Sequence, residues 1–170
     1  MSQAASGGGA PQAVRAYIAF GANLGDPAAA FDQTLTQLDA LPATHVAGRS
    51  LLYRSAPVDA PGQPDYINAV IAVDTGLSPQ QLLHALQDME QAAGRSRAYR
   101  NAPRPLDLDL LLHGDTVLQD EELTLPHPRM HQRAFVLRPL AELAPRLRIP
   151  GHGELAPLLA AVADQAAAPL

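Results

Sequence analysis

The run Leu106-Asp107-Leu108-Asp109-Leu110-Leu111-Leu112 constrains this chain more than any other stretch. It is apolar enough to form a buried strand, and side chains alternate across a strand. Leu106, Leu108 and Leu110 therefore point one way, into a core, while Asp107 and Asp109 share the opposite face. Two neighbouring carboxylates repel and are costly to ionise together unless a cation lies between them. Mg²⁺ suits such a pair, because it takes oxygen ligands and usually binds one or two carboxylates together with substrate phosphates. A solvent-facing strand edge that happens to carry two acids is the plainer alternative.

The rest of the chain supplies partners for this strand. Residues 14–20, Val-Arg-Ala-Tyr-Ile-Ala-Phe, read as a buried first strand. Gly21-Ala22-Asn23-Leu24-Gly25 turns the chain. A glycine loop opening a helix can cradle phosphate, but the full dinucleotide pattern is missing, so a plain turn is expected. Asp26 can cap a helix with Pro27 at its first position. Phe31, Leu35, Leu38 and Leu41 then follow at helical spacing. Residues 50–53 read as a strand running into an irregular stretch, 56–64, with three prolines and a glycine. Residues 66–74 are the next strand. Ser78, Pro79 and Gln81 carry the signature of a capping box. Leu82, Leu86, Met89 and Ala93 form the buried stripe of that second helix, and Gly94 sits where it would stop.

After the acidic strand, Gly114-Asp115 reads as a tight turn and Leu123-Thr124-Leu125 as a short returning strand. Residues 135–143 suggest a helix interrupted or started by Pro139, and the chain from Glu154 a short helix with a frayed end. The order strand, helix, strand, strand, helix, strand is the split βαβ pattern of a ferredoxin-like sheet, an α+β fold. One domain is expected over residues 14–165. The Ser/Gly/Ala/Pro-rich residues 1–13 read as a disordered leader.

All twelve cationic side chains are arginine. There is no lysine for a Schiff base or a Walker-type phosphate contact, and no cysteine for a thiolate metal site, a disulfide or a nucleophile. Any phosphate must therefore be held by arginine forks, backbone amides or a metal. The net charge of −5 argues against general nucleic-acid binding. No apolar run approaches the ~20 residues of a membrane span. A cytoplasmic protein acting on small molecules is the expectation.

Four of the arginines, Arg95, Arg97, Arg100 and Arg104, lie just ahead of the acidic strand in ten residues without an acid. Acids for metal beside arginines for phosphate form the kit of phosphoryl transfer; a solvated basic loop is the plainer reading. Gln87 and Glu90, one turn apart on the second helix, either bond a ligand or lie on the surface. His127, flanked by prolines, is a candidate nucleotide contact. His45, His84, His113, His131 and His152 show no metal-ligand spacing, so zinc is not expected.

Several separated stretches, taken in order, resemble the hydroxymethyl-dihydropterin pyrophosphokinase family. They are residues 17–25 (Tyr-Ile-Ala-Phe-Gly-Ala-Asn-Leu-Gly), residues 63–69 (Gln-Pro-Asp-Tyr-Ile-Asn-Ala), Glu90 with Gly94-Arg95-Ser96-Arg97, residues 103–110 (Pro-Arg-Pro-Leu-Asp-Leu-Asp-Leu), Leu125-Pro126-His127, and residues 133–140 (Arg-Ala-Phe-Val-Leu-Arg-Pro-Leu). The resemblance implies a three-layer α-β-α sandwich and transfer of diphosphate from MgATP to a hydroxymethyl-dihydropterin in folate synthesis, by a monomer. It implies two Mg²⁺ ions on Asp107 and Asp109, with Arg95 and Arg104 also catalytic. ATP as co-substrate would meet Gln87, Glu90, Arg95, Arg97, Arg104, Leu110, Thr124, His127 and Arg133. The pterin would meet Ser55, Ala56, Val58, Tyr66, Asn68, Asp107 and Phe135. The residue types suit that ligand: Tyr66 and Phe135 offer faces to a flat ring, and Asn68 offers both donor and acceptor to its amide edge.

The match departs on the nucleotide side. Asn101 and Ala102 stand where the family usually has tryptophan and glycine, Pro105 where it has threonine, Glu122 in place of an arginine, and Pro128 in place of an aromatic. Two other readings compete. Two-metal nucleotidyl transfer on a ferredoxin-like sheet would release pyrophosphate, and a ligand-sensing module would need no Mg²⁺.

Overall fold

The computed structural model describes residues 13–23, 25–55, 65–94 and 106–170. The expected leader up to residue 12, the irregular stretch 56–64 and the arginine segment 95–105 lie outside the described residues, as does Leu24.

Strand β1 (Val14–Ala22) leads into helix α1 (Pro27–Asp39), whose first turn is closed by Asp26 Oδ1 accepting the Ala29 N–H at 3.1 Å. Such a cap is worth about 1 kcal/mol. Strands β2 (Thr44–Arg49), β3 (Tyr53–Ser55) and β4 (Tyr66–Thr75) follow, then helix α2 (Pro79–Ala92). The expected capping box is present. Ser78 Oγ accepts the Gln81 N–H at 3.1 Å, and Gln81 Oε1 accepts the Ser78 N–H at 2.9 Å. Gly94, at φ +87°, ends the helix.

Strand β5 (Asp107–His113) and the small ladder of β6 (Leu118–Gln119) with β7 (Thr124–Leu125) come next. They are followed by a 3₁₀ turn (Met130–Gln132) and helix α3 (Ala134–Leu143). Helix α3 contains Pro139 in its interior. A second two-stranded ladder, β8 (Arg148–Ile149) with β9 (Gly153–Glu154), precedes α4 (Leu155–Ala161) and β10 (Ala168–Pro169).

In the main sheet β5 pairs with β1, β1 with β4, and β4 with both β2 and β3, all antiparallel. This is the ferredoxin-like order. Helices α1 and α2 cover one face through Phe31, Leu38, Leu82, Leu86 and Met89, packed on Ile18, Phe20, Ile71, Leu108 and Leu110. Helices α3 and α4 cover the other through Val136, Leu137, Leu140 and Leu155, packed on Tyr17, Val70 and Leu112. Three layers result, as expected. The pairing of β1 with β5 shifts register between Tyr17 and Ile18, so Leu111 is an extra residue in β5 and forms a bulge.

Three expectations are corrected here. Residues 50–53 are not one strand; they include the break between β2 and β3. Ser50 causes it. Its N–H donates to the Val70 carbonyl at 2.9 Å while its hydroxyl accepts the Val70 N–H at 2.9 Å, so a side chain replaces a main-chain acceptor in the ladder. Leu51 turns outward, and its N–H goes to Glu142 Oε1 at 3.0 Å. The buried stripe of α2 ends with Met89 and Glu90 rather than Ala93, which is exposed because it already lies past the last helical turn. The end of the chain is not frayed. Ala168 and Pro169 pair with Arg54 and Tyr53 in the main sheet.

Candidate active site

Residues directly opposite in an antiparallel sheet share a face. Tyr53 of β3, Asn68 of β4, Gly21 of β1 and Asp107 of β5 are successive partners, forming one row across four strands. The next row runs Val70, Ala19, Asp109. These rows lie on the face that carries α3, opposite Leu108 and Leu110. The alternation read from the sequence is therefore correct: the two aspartates share a face and the leucines fill the other core.

Between Asn68 and the acids the floor is built from Gly21 and Ala19. Both are only half-buried, although β1 is a central strand and its neighbours Ile18, Phe20 and Ala22 are buried. A β-carbon on Gly21 would lie 3.5 Å from Asn68 Oδ1. Glycine thus keeps open the space beside that oxygen. Two small, half-buried residues in a central strand make this spot a shallow floor for a ligand.

The walls are tied together by short polar links. Asn68 Nδ2 donates to Ser55 Oγ at 2.6 Å, which fixes the amide so that Oδ1 faces Gly21. Tyr66 pairs with Ser55 and is half-buried. Phe135, near the start of α3, is half-buried against the α3 core, and the Arg133 guanidinium lies over its ring at 5.6 Å. Tyr53 donates its hydroxyl to Glu142 of α3. Burial first, and that bond second, push its phenol up to about 12, so it stays protonated.

His127 joins this cluster from the loop after β7. Its N–H donates to the Leu111 carbonyl at 2.9 Å. Its Nδ1 accepts the Arg129 N–H at 3.1 Å, so the proton of the neutral ring sits on Nε2. Burial pushes its pKa down to about 4; Arg133 and Arg129 act the same way, against the opposing pull of Asp107. At neutral pH His127 is therefore an uncharged ring with one N–H to give.

Among the described residues, no three His, Cys, Asp or Glu side chains converge on a metal position. The oxygen pair Asp107 and Asp109 suits Mg²⁺ completed by water and phosphate oxygens, and does not suit zinc.

The remaining expected contacts are spread out. Thr124 is half-buried in β7 and Gln87 is exposed on α2. Leu110 is buried among the α1 and α2 side chains, so only its backbone can face a ligand. Glu90 is not a surface residue: it is 4% exposed and accepts the Leu108 N–H at 2.8 Å. Glu122, at a variant position, pairs with His84 at 2.7 Å. Ala56, Val58, Arg95, Arg97, Arg100, Asn101, Ala102, Arg104 and Pro105 lie outside the described residues. Sequence reasoning missed Gly21 and Ala19 as the floor, and Tyr53 as its edge. Small residues in a central strand were the available signal.

A family model described as 7,8-dihydro-6-hydroxymethylpterin-pyrophosphokinase matches residues 17–145. A 2-amino-4-hydroxy-6-hydroxymethyldihydropteridine pyrophosphokinase of Pseudomonas aeruginosa is 46% identical over 147 residues, covering 86% of this chain and 91% of its own. The protein of the same name from Haemophilus influenzae is 42% identical, covering 89% and 94%. A crystal structure of wild-type Plasmodium falciparum HPPK-DHPS with pteroate superposes with a TM-score of 0.66 at 12% identity. It covers 90% of this chain, which spans 42% of that longer one. At that identity the likeness supports the fold.

Proposed function

Because the chain belongs to the 7,8-dihydro-6-hydroxymethylpterin-pyrophosphokinase family, we propose that its site transfers diphosphate from MgATP to the hydroxymethyl group of 6-hydroxymethyl-7,8-dihydropterin. AMP leaves, and the product feeds folate synthesis. The enzyme is a pyrophosphokinase. The observation that carries the detailed reading is the row Asn68, Gly21, Asp107, with Asp109 one row on. It sets an amide and an acidic pair on either side of a bare floor, at a separation that a small planar substrate can bridge.

The pterin ring lies over Gly21, between the aromatic faces of Tyr66 and Phe135. Asn68, held by Ser55, reads its amide edge with a donor and an acceptor, and the family resemblance assigns Ala56 and Val58 to the same ligand. The hydroxymethyl group then points toward Asp107. Its oxygen attacks the β-phosphorus, a new O–P bond forms, and the bond to the α-phosphate oxygen breaks. Asp107 or water takes the hydroxyl proton. His127 does not serve as base, since Nδ1 is occupied and Nε2 carries a proton; it donates to the nucleotide. Arg133 lies beside it, and Thr124 and Gln87 extend the nucleotide side, with Leu110 contributing backbone. Arg95, Arg97 and Arg104 fork onto phosphate oxygens.

Asp107 and Asp109 would hold two Mg²⁺ ions, which neutralise phosphate charge and orient the attack. The enzyme is read as a cytoplasmic monomer. Among the described residues no helix is long and apolar enough to cross a membrane.

A nucleotide assay tests the reaction. ATP should become AMP only when hydroxymethyl-dihydropterin and Mg²⁺ are both present. Release of free pyrophosphate would favour nucleotidyl transfer instead, and metal-independent pterin binding without turnover would favour a sensing module.

A further inference from the structure

We infer that Glu90 is a positioning residue for the acidic pair, acting through the peptide between Asp107 and Asp109. This rests on the reading of that pair given above. Strand β5 pairs with β1 on one side and lies at the edge of the main sheet. In an antiparallel pair successive N–H groups alternate between facing the partner and facing away. The Leu108 N–H faces away, and it donates to Glu90 Oε2 at 2.8 Å. The groups of Asp107 and Asp109 are left to face β1, opposite Gly21 and Ala19. The acidic pair is thus held from both sides, by β1 along the inner edge and by Glu90 at the middle of the outer edge.

Several features of this place work against a carboxylate. Glu90 is 4% exposed, and burial disfavours its charged form. It lies in the last turn of α2, where the helix dipole disfavours an anion. It also stands behind a strand that carries two more acids. Against these stands the bond that its Oε2 accepts from a backbone donor at 2.8 Å, which also fixes the distance between α2 and β5. Helix α2 is anchored at its other end by the Ser78–Gln81 box and along its length by Leu82, Leu86 and Met89. Glu90 transmits that rigidity to the strand that presents the acids. Groups bonded directly to metal ligands typically alter metal affinity 10–100-fold when removed; Glu90 acts one peptide further out, so the lower end of that range is expected.

The test uses the full chain in three forms: wild type, Glu90→Gln and Glu90→Ala. Glu90→Gln keeps an acceptor on a side chain of the same length; Glu90→Ala removes it. The first measurement is amide exchange at Leu108 in the ligand-free protein, by NMR. Exchange should be slow in wild type and Glu90→Gln, and faster in Glu90→Ala by about tenfold or more. The second is Mn²⁺ binding followed by electron paramagnetic resonance, with α,β-methylene ATP present. Affinity should fall about tenfold in Glu90→Ala and stay within about threefold of wild type in Glu90→Gln. Wild-type exchange and Mn²⁺ affinity in Glu90→Ala would overturn the inference. So would a Glu90→Gln protein as impaired as Glu90→Ala, since charge rather than the bond would then matter. If Glu90→Ala does not fold, Glu90→Asp replaces it; its carboxylate is one methylene short of Leu108, and the same losses are expected. An Asp107→Ala protein that still binds Mn²⁺ as wild type would count against the acidic pair itself, whatever Glu90 does.

Discussion

On the α1 and α2 side, Ile18, Phe20, Ile71, Leu108 and Leu110 are all nearly or fully buried. On the α3 side, the same strands show half-buried Ala19, Gly21, Asp107 and Asp109 within one corner. The two surfaces come from alternate residues of one continuous sequence. One is sealed by large apolar side chains; the other is opened by two small ones and edged with acids and an amide. The difference teaches that this site was made less by adding groups than by leaving side-chain volume out of a central strand. It also lets chemistry and stability be altered separately, because adjacent residues on β5 belong to opposite layers.

The sharpest test of that separation compares Asp107→Ala or Asp109→Ala with Leu108→Ala. Either aspartate variant should lose at least about a thousandfold in turnover, about 4 kcal/mol of transition-state stabilisation, while unfolding like wild type in urea. Unchanged turnover at ordinary Mg²⁺ would remove the acids from the mechanism. Leu108→Ala should do the reverse and lose about 2–5 kcal/mol of stability through a core cavity. Its turnover, measured below its melting temperature, should fall far less. Equal damage to turnover from all three substitutions would dissolve the distinction between the layers.

A subtler variant divides stability from binding at one atom. Gly21→Ala should gain about 0.5–1 kcal/mol of stability, since glycine is unfavourable within a strand. Its new methyl lies in ordinary contact with Asn68. Pterin affinity, measured by calorimetry, should nevertheless fall about tenfold, near 1.4 kcal/mol, because the methyl occupies the floor. Unchanged affinity would move the ring elsewhere.

The smallest expected effect concerns acid. The folded-state pKa of His127 is about 4, below its ordinary 6.5. Between these values the unfolded chain binds the proton that the folded one refuses, so stability drops as pH falls from about 6.5 to about 4 and this contribution is constant below that. Above 6.5 His127 contributes nothing pH-dependent. In His127→Gln this part of the acid slope should vanish from urea unfolding curves recorded across that window. An identical slope would mean that the ring is protonated freely in the fold.

What was legible in the sequence was local or periodic. Asp26, Ser78, Gln81 and Gly94 fix helix ends within a few residues of chain, and the leucine–aspartate alternation of β5 declares its faces by itself. Strand β2 was illegible because Thr44, Val46 and Gly48 make a weak inward set beside exposed His45 and Arg49, and because Ser50 breaks the ladder with its own hydroxyl. Asn68 was legible as a residue type, but its partnership with Gly21 and Asp107 exists only after three strands are in register. Glu90 read as ambivalent because its partner is a backbone N–H eighteen residues away, invisible to any pattern of side chains.

The bulge at Leu111 has a consequence for parity. Ahead of it, odd-numbered residues of β5 look toward α3; beyond it, Leu112 does so, opposite Tyr17, and His113 turns to the other layer, where its Nε2 meets the Leu77 carbonyl at 2.9 Å. The strand therefore carries two phases joined at one residue. Deleting Leu111 would restore a single phase without moving a partner: Asp107 and Asp109 would stay opposite Gly21 and Ala19, and Leu112 and His113 opposite Tyr17 and Ala16. What the deletion removes is one buried leucine of the α3-side core, so its cost falls on packing while the acids keep their row.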